Sequence, residues 1–311
     1  VFGKSPWNDV ALMMTFRSIL CPIDFSSHSR EALRHAVAMA QRFDSRVTVM
    51  FVEDPLLIAA VSGSSAGQVV ARTKLELERF VTRAVAAVRP AQNEIARVVA
   101  TGDPADEILR TARRLRSDLI VIGTQGLSGF RKLFFGSTTE QILRRVAIPV
   151  LAIPPSKRSR SKGAHSKTIG KVIAPLDLAG EWQSDAMRAA KVAAAFGAEL
   201  LLVHVLAPIQ APPWLGSAAR GTDRQRVERA RAALDRMVTK LSSDLEINSR
   251  VLTGNPADEI AKLTKSSTTV VVMSLHGSSG MLGARRGSIA YRVLTHSSTP
   301  VLALPRRRLR S

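Results

Sequence analysis

Ten apolar-rich, often β-branched runs punctuate the chain, at roughly 18–23, 46–52, 95–100, 118–123 and 149–153, then at 171–176, 199–205, 247–252, 269–274 and 300–304. None alternates cleanly between polar and apolar positions. Each therefore predicts a strand buried on both faces, as in a parallel sheet covered by helices. The segments between them carry helical spacing. Over 28–43 it places Leu33, Ala36, Val37 and Ala40 on one face, and over 184–196 it repeats the idea with Ala186, Ala189, Ala190 and Ala193. Asp103-Pro104 and Asn255-Pro256 predict helix starts, each with a capping side chain followed by proline at the first helical position.

The second half of the chain repeats the first. Ser18-Ile-Leu-Cys-Pro-Ile-Asp24 answers to Lys171-Val-Ile-Ala-Pro-Leu-Asp177, and Thr101-Gly-Asp-Pro-Ala-Asp-Glu-Ile108 to Thr253-Gly-Asn-Pro-Ala-Asp-Glu-Ile260. The offset is 153 at Asp24 and Asp177, 152 at Gly102 and Gly254, and 151 at Gly136 and Gly287, drifts that loop-length changes between two copies would give. A period this long means a duplicated domain, not a solenoid. The predicted fold class is α/β, with two tandem doubly wound, five-stranded parallel-sheet domains of Rossmann-like type. The first spans 16–154 and the second 169–305, with an extension at 1–15, a basic linker at 155–168 and a basic tail at 306–311. Ligands of such sheets sit beyond the carboxyl ends of the strands, where the strand order reverses. Asp24, Gly123 and their repeat partners lie at such ends.

One loop carries candidate chemistry. Gly123-Thr-Gln-Gly126 is followed, after nine residues, by Gly136-Ser137. Glycines let backbone N–H groups approach an anion closely and permit tight turns, and a helix starting at Ser137 would add its unpaired N–H groups and a hydroxyl. The second copy has Ser274-Leu-His-Gly277, nine residues, then Gly287-Ser288. If the first position of the loop needs a positive φ, Ser274 costs on the order of 1 kcal/mol there. Arg285 and Arg286 stand where the first copy has Phe134 and Phe135. Either these cations help a weakened loop hold phosphate at a second site with Asp177, Gly277, Gly287 and Ser288, or the copy has stopped binding. A weaker or absent second site is favoured, because loop arginines are usually only solvated.

These residues together resemble the universal stress proteins in their tandem, ATP-binding form, whose fold is that of the adenine nucleotide alpha-hydrolase-like group. The resemblance rests on Gly123, Gly126, Gly136 and Ser137, on Asp24 and Asp177 at the first strand ends, and on the Gly-Asp/Asn-Pro segments and Pro-Val-Leu final strands. It implies that Asp24 lies near adenine and ribose, that the second-strand end around Val49 to Val52 lines the base, and that Gly123, Gly126, Gly136, Ser137 and Thr138 hold ribose and phosphates. Capping of the following helix remains an alternative role for Asp24 and for Ser137. The resemblance also implies ATP as ligand, with Mg2+ able to accompany its phosphates, and a stress-response regulator or sensor. The two domains would associate as an intramolecular pseudo-dimer through 149–153 and 300–304, with homo-oligomers also open.

Composition trims the alternatives. A formal net charge of +20 is at odds with a plain nucleotide sensor, but Lys157, Arg158, Arg160, Lys162, Lys167, Arg306, Arg307, Arg308 and Arg310 supply nearly half of it from the linker and tail. Such segments attract polyanions such as nucleic acid non-specifically. With aromatics at 5% and no RNA-binding signature, nucleic acid is disfavoured as a partner, though a basic interaction protein remains the competing function. No apolar run approaches the roughly 18 residues a membrane span needs. The single cysteine, Cys21, lies in a strand-like run, which excludes an internal disulfide and favours a cytoplasmic, reducing setting with an inert thiol. His28, His204 and His276 have no metal-ligand spacing. No P-loop lysine motif or nucleophile elbow occurs, so the expectation is a binding protein, not an enzyme.

Overall fold

The structure, a computed structural model, describes residues 15–60, 65–86, 95–125, 136–155, 169–179, 181–210, 212, 216–241, 244–264, 266, 268–275 and 289–305. The chain divides into two compact units, one built on Phe16–Lys167 and the other on Thr168–Gly280 with Arg286–Val301. The first runs β1 (Ser18–Ile23), α1 (Ser27–Phe43), β2 (Arg46–Glu53), α2 (Pro55–Ala60), α3 (Ser65–Val85), β3 (Ala96–Thr101), α4 (Pro104–Arg114), β4 (Leu119–Gly123), α5 (Ser137–Arg145) and β5 (Val150–Ile153). The second runs β6 (Lys171–Pro175), α6 (Trp182–Phe196), β7 (Glu199–Leu206), α7 (Gly216–Leu241), β8 (Ile247–Thr253), α8 (Pro256–Leu263), β9 (Thr269–Ser274), α9 (Ile289–His296) and β10 (Val301–Leu304). Each expected strand is present within a residue of its expected ends.

In the first unit the strand order is β3-β2-β1-β4-β5, all paired in parallel. The second repeats it as β8-β7-β6-β9, with β10 beside β9. The chain winds outward from β1 to β3, then returns to add β4 on the other side. The reversal falls between β1 and β4, so Asp24 and Gly123 end adjacent strands at the switch point.

Why these residues make these elements follows from burial. Every residue of β1, β4 and β5 is buried, as expected of central parallel strands with helices on both faces. The edge strands β3 and β8 have largely exposed or half-buried residues, because one flank lacks a neighbour. On α1, Leu33, Ala36, Val37 and Ala40 are buried, and on α6 so are Ala186, Ala189, Ala190 and Ala193. The caps repeat as well. Asp103 accepts from the Asp106 N–H at 3.0 Å and Asn255 from the Ala257 N–H at 3.1 Å, with Pro104 and Pro256 next. Gly102 and Gly254 precede these caps at φ +152° and +146°, a conformation that side chains resist. Cys21 is fully buried, and burial pushes its thiol pKa far up, which fits an inert core residue.

Leu33→Ala should lower stability by about 2–5 kcal/mol, since Leu33 is fully buried against the sheet. Leu75→Ala, at a side chain 50% exposed, should stay within about 0.5 kcal/mol. Denaturant midpoints of the two variants check this.

Candidate functional site

The carboxyl edge of the first sheet gathers most of the expected site residues. Just past β1, Asp24 Oδ1 accepts from the Ser26 N–H at 3.1 Å, and the Asp24 N–H donates to Ser29 Oγ at 3.4 Å. Ser26, not Asp24, is the N-cap of α1, its Oγ accepting from the Ser29 N–H at 3.1 Å. The Ser29 hydroxyl donates back to the Ser26 carbonyl at 3.1 Å. The loop is thus held by its own side chains, and the Asp24 carboxylate orders the turn without acting as the helix cap.

Between them Phe25 adopts φ +61°, a left-handed conformation costing a residue with a Cβ roughly 1–2 kcal/mol. Its ring lies 4.6 Å from Phe51 and 5.5 Å, edge-on, from Phe80, and these contacts oppose that strain. Sequence reasoning missed Phe25, because an aromatic residue carries no signal for a left-handed turn. Leu178, its counterpart after Asp177, is not in that conformation.

One expectation needs correction on β2. Val49 sits mid-strand, fully buried and paired with Cys21, so it cannot line an open edge. The strand continues to Glu53, and its end is formed by Phe51, the half-buried Val52 and Glu53. The apolar run hid this because Glu53 is a charged residue that is nonetheless buried at 2% exposure.

Gly123 closes β4. A Cβ placed on it would come 3.3 Å from both the carbonyl carbon and oxygen of His28, in the first turn of α1. Gly123 is not at positive φ, so close approach of the helix, not turn geometry, is what disfavours a side chain there. The Gly123 carbonyl accepts from Thr139 Oγ1 at 3.1 Å, and the Gly136 N–H donates to the Thr124 carbonyl at 3.1 Å. These bonds fix the start of α5 against the end of β4. Gly136 is the N-cap of α5, with φ −58° and no side-chain capping bond. Ser137 is exposed and Thr138 half-buried in the first turn, so the helix start offers backbone N–H groups that an anion can take up. Gly126 lies outside the described residues.

At the same edge of the second unit the chemistry differs. Asp177 Oδ1 accepts from the Ala179 N–H at 3.3 Å. Ser274 is not at positive φ, so the strain expected of it does not arise. Its hydroxyl donates to Asp185 Oδ1 and accepts from Arg188 Nη1 at 3.3 Å, binding the end of β9 to α6. Helix α6 begins at Trp182, five residues past Asp177, whereas α1 begins three past Asp24. A polar side-chain cluster thus takes the place of the backbone contact made by Gly123. His204, in the apolar run of β7, is half-buried and its Nδ1 lies 2.8 Å from the Leu176 carbonyl. His276, Gly277, Arg285, Arg286, Gly287 and Ser288 lie outside the described residues. Among the described residues no group of three His, Cys, Asp or Glu side chains is placed to hold a metal, and no helix is long and apolar enough to cross a membrane.

Two doubly wound α/β domains in tandem, each with polar groups at its switch point, define the class. The chain belongs to the universal stress protein family, whose sequence profile matches residues 15–154 and again 168–305. A Mycolicibacterium smegmatis universal stress protein is 24% identical over 292 residues, covering 92% of this chain and 96% of that one. Single-domain relatives align with about half of the chain. A Methanocaldococcus jannaschii universal stress protein is 27% identical over 144 residues (46% of this chain, 85% of that one), and one from Thermus aquaticus is 30% identical over 138 (44% and 98%). Among solved structures, a universal stress protein from Archaeoglobus fulgidus superposes with a TM-score of 0.62 at 19% identity, covering 93% of this chain and 96% of that one. A Pseudomonas aeruginosa protein described as functionally unknown also gives 0.62, at 19% identity over 96% and 94%.

Gly123→Ala should destabilise the protein by about 1–3 kcal/mol with or without ligand, because the new methyl must displace the His28 backbone. Ser274→Ala should cost about 1 kcal/mol by leaving Asp185 and Arg188 without their bridging hydroxyl. Thermal unfolding of each single variant tests both.

Proposed function

We propose that the first domain binds ATP and that occupancy of this site biases the protein's conformation or assembly in a stress response. One observation carries the reading. Helix α5 starts on a glycine with no side-chain cap, beside the strand end that carries Asp24, at the point where the strand order reverses. A helix start of this kind favours an anion through its free N–H groups and dipole. Gly136 leaves the approach clear of a Cβ, and Ser137 and Thr138 can add hydroxyl donors. Adjacent strands in a sheet lie about 4.8 Å apart, so a phosphate at α5 would put a ribose near Asp24 and a base near the end of β2. Such a site binds and orients a nucleotide. We read it as a sensor site and not a catalytic one.

The second domain is proposed to bind nucleotide weakly or not at all. Ser274, Asp185 and Arg188 already satisfy one another at the position equivalent to Gly123. Coupling to conformation follows only if ATP prefers one arrangement of the protein over another.

Gly136→Asp separates ligand binding from stability. Aspartate is a better N-cap than glycine, so the melting temperature should hold or rise, while its charge opposes phosphate at the same N–H groups. Calorimetric titration should give one equivalent of ATP for the native protein and at least a tenfold weaker affinity for the variant. Two equivalents would assign a site to the second domain. No heat, and no thermal shift with ATP, would move the reading to the basic interaction protein.

A further inference from the structure

The end of β2 buries a carboxylate for which the fold has no use. Glu53 is 2% exposed, and among the described residues neither Oε1 nor Oε2 has a hydrogen-bond partner. No ion pair among the described residues includes Glu53, and the Arg30 guanidinium lies 5.5 Å over the Phe80 ring. A buried carboxylate without partners is unfavourable, and such groups in folded proteins call for an explanation.

The second domain supplies an internal control. Glu53 pairs with Thr101 in register, and Leu206 pairs with Thr253 at the repeat position. The backbone setting is the same, since the Gly102 N–H donates to the Glu53 carbonyl at 3.1 Å and the Gly254 N–H to the Leu206 carbonyl at 2.9 Å. Leucine, half-buried there where Glu53 is buried, thus serves the same backbone pairing, so that pairing does not itself call for a carboxylate.

Its placement says what. Phe51 is two residues earlier on the same face of β2, its ring against that of Phe25. Glu53 ends the second strand from Gly123, so it stands about 10 Å from that strand's end, one strand beyond Asp24. That is the span from a phosphate to the base of a nucleotide. An ionised carboxylate accepts hydrogen bonds only, so a partner for that form must donate.

We propose that Glu53 is the specificity-determining residue for the base, accepting a hydrogen bond from the exocyclic amino group of a nucleobase seated beside Phe25 and Phe51. The inference rests on the nucleotide reading above. The side chain breaks no hydrogen bond to a described residue when it turns toward such a donor, because it makes none there.

The test compares ATP with purine riboside 5′-triphosphate, which lacks only the 6-amino group, on the native protein and on Glu53→Leu. The native protein should bind ATP at least about tenfold more tightly than the analogue, the order expected of one lost hydrogen bond in a buried site. In Glu53→Leu the ratio should fall to about one through weaker ATP binding, while the melting temperature stays level or rises. ATP bound no better than the analogue by the native protein, or a ratio unchanged in Glu53→Leu, would overturn the role of Glu53 and leave the nucleotide site standing. Binding of neither triphosphate by the native protein would remove the nucleotide reading itself, and this assignment with it.

Discussion

The first turn of α1 approaches the end of β4 so closely that a Cβ at residue 123 would press on the His28 backbone at 3.3 Å. The rest of the carboxyl edge is arranged around that contact. It holds the β1–α1 turn, with Asp24 and the Ser26–Ser29 cap, against the strand that leads to the candidate phosphate site. Thr139 closes the other side by bonding the Gly123 carbonyl, which seats the start of α5 at the same edge. Burial of β1, β4 and β5 on both faces gives this edge a rigid base. Local side-chain bonds then set the turns.

The two units solve the same packing problem differently. In the first, a glycine admits the helix backbone. In the second, α6 begins later and a serine reaches it through Asp185 and Arg188. The replacement of Gly123 by Ser274 is thus an exchange of one kind of contact for another, and φ plays no part in it. The same comparison singles out Phe25, Phe51 and Glu53. Their counterparts Leu178, His204 and Leu206 lack the strained turn, the ring pair and the buried carboxylate respectively. What distinguishes the first unit is concentrated at its carboxyl edge, where a ligand of a doubly wound sheet would sit.

Much of this was legible in the sequence. Continuous apolar runs marked the central strands, because burial on both faces leaves no polar positions to blur them, while the edge strands β3 and β8 stood out by their β-branched residues and their place in the repeat. Asp103-Pro104 and Asn255-Pro256 marked helix starts through simple local chemistry. The duplication made the architecture readable at once. The site was less legible. The resemblance points to Val49 to Val52 as the end of the second strand, whereas the strand runs on to the buried Glu53, and nothing in sequence announces a buried acidic residue. Gly123 was read as a phosphate-loop glycine, whereas its packing against His28 depends on residues 95 positions apart meeting in space. Phe25 breaks the rule that side chains avoid left-handed backbone, so no sequence rule finds it.

The central claim is that nucleotide binds at the carboxyl edge of the first domain and not at the second. The most direct measurement is an amide-resolved NMR titration with ATP. The account predicts that the N–H signals of Asp24, Ser137, Thr138 and Thr139 shift progressively and saturate, while those of Asp177, Ala179 and Ser274 stay in place. Equal shifts at both edges, or shifts confined to the second, would contradict it.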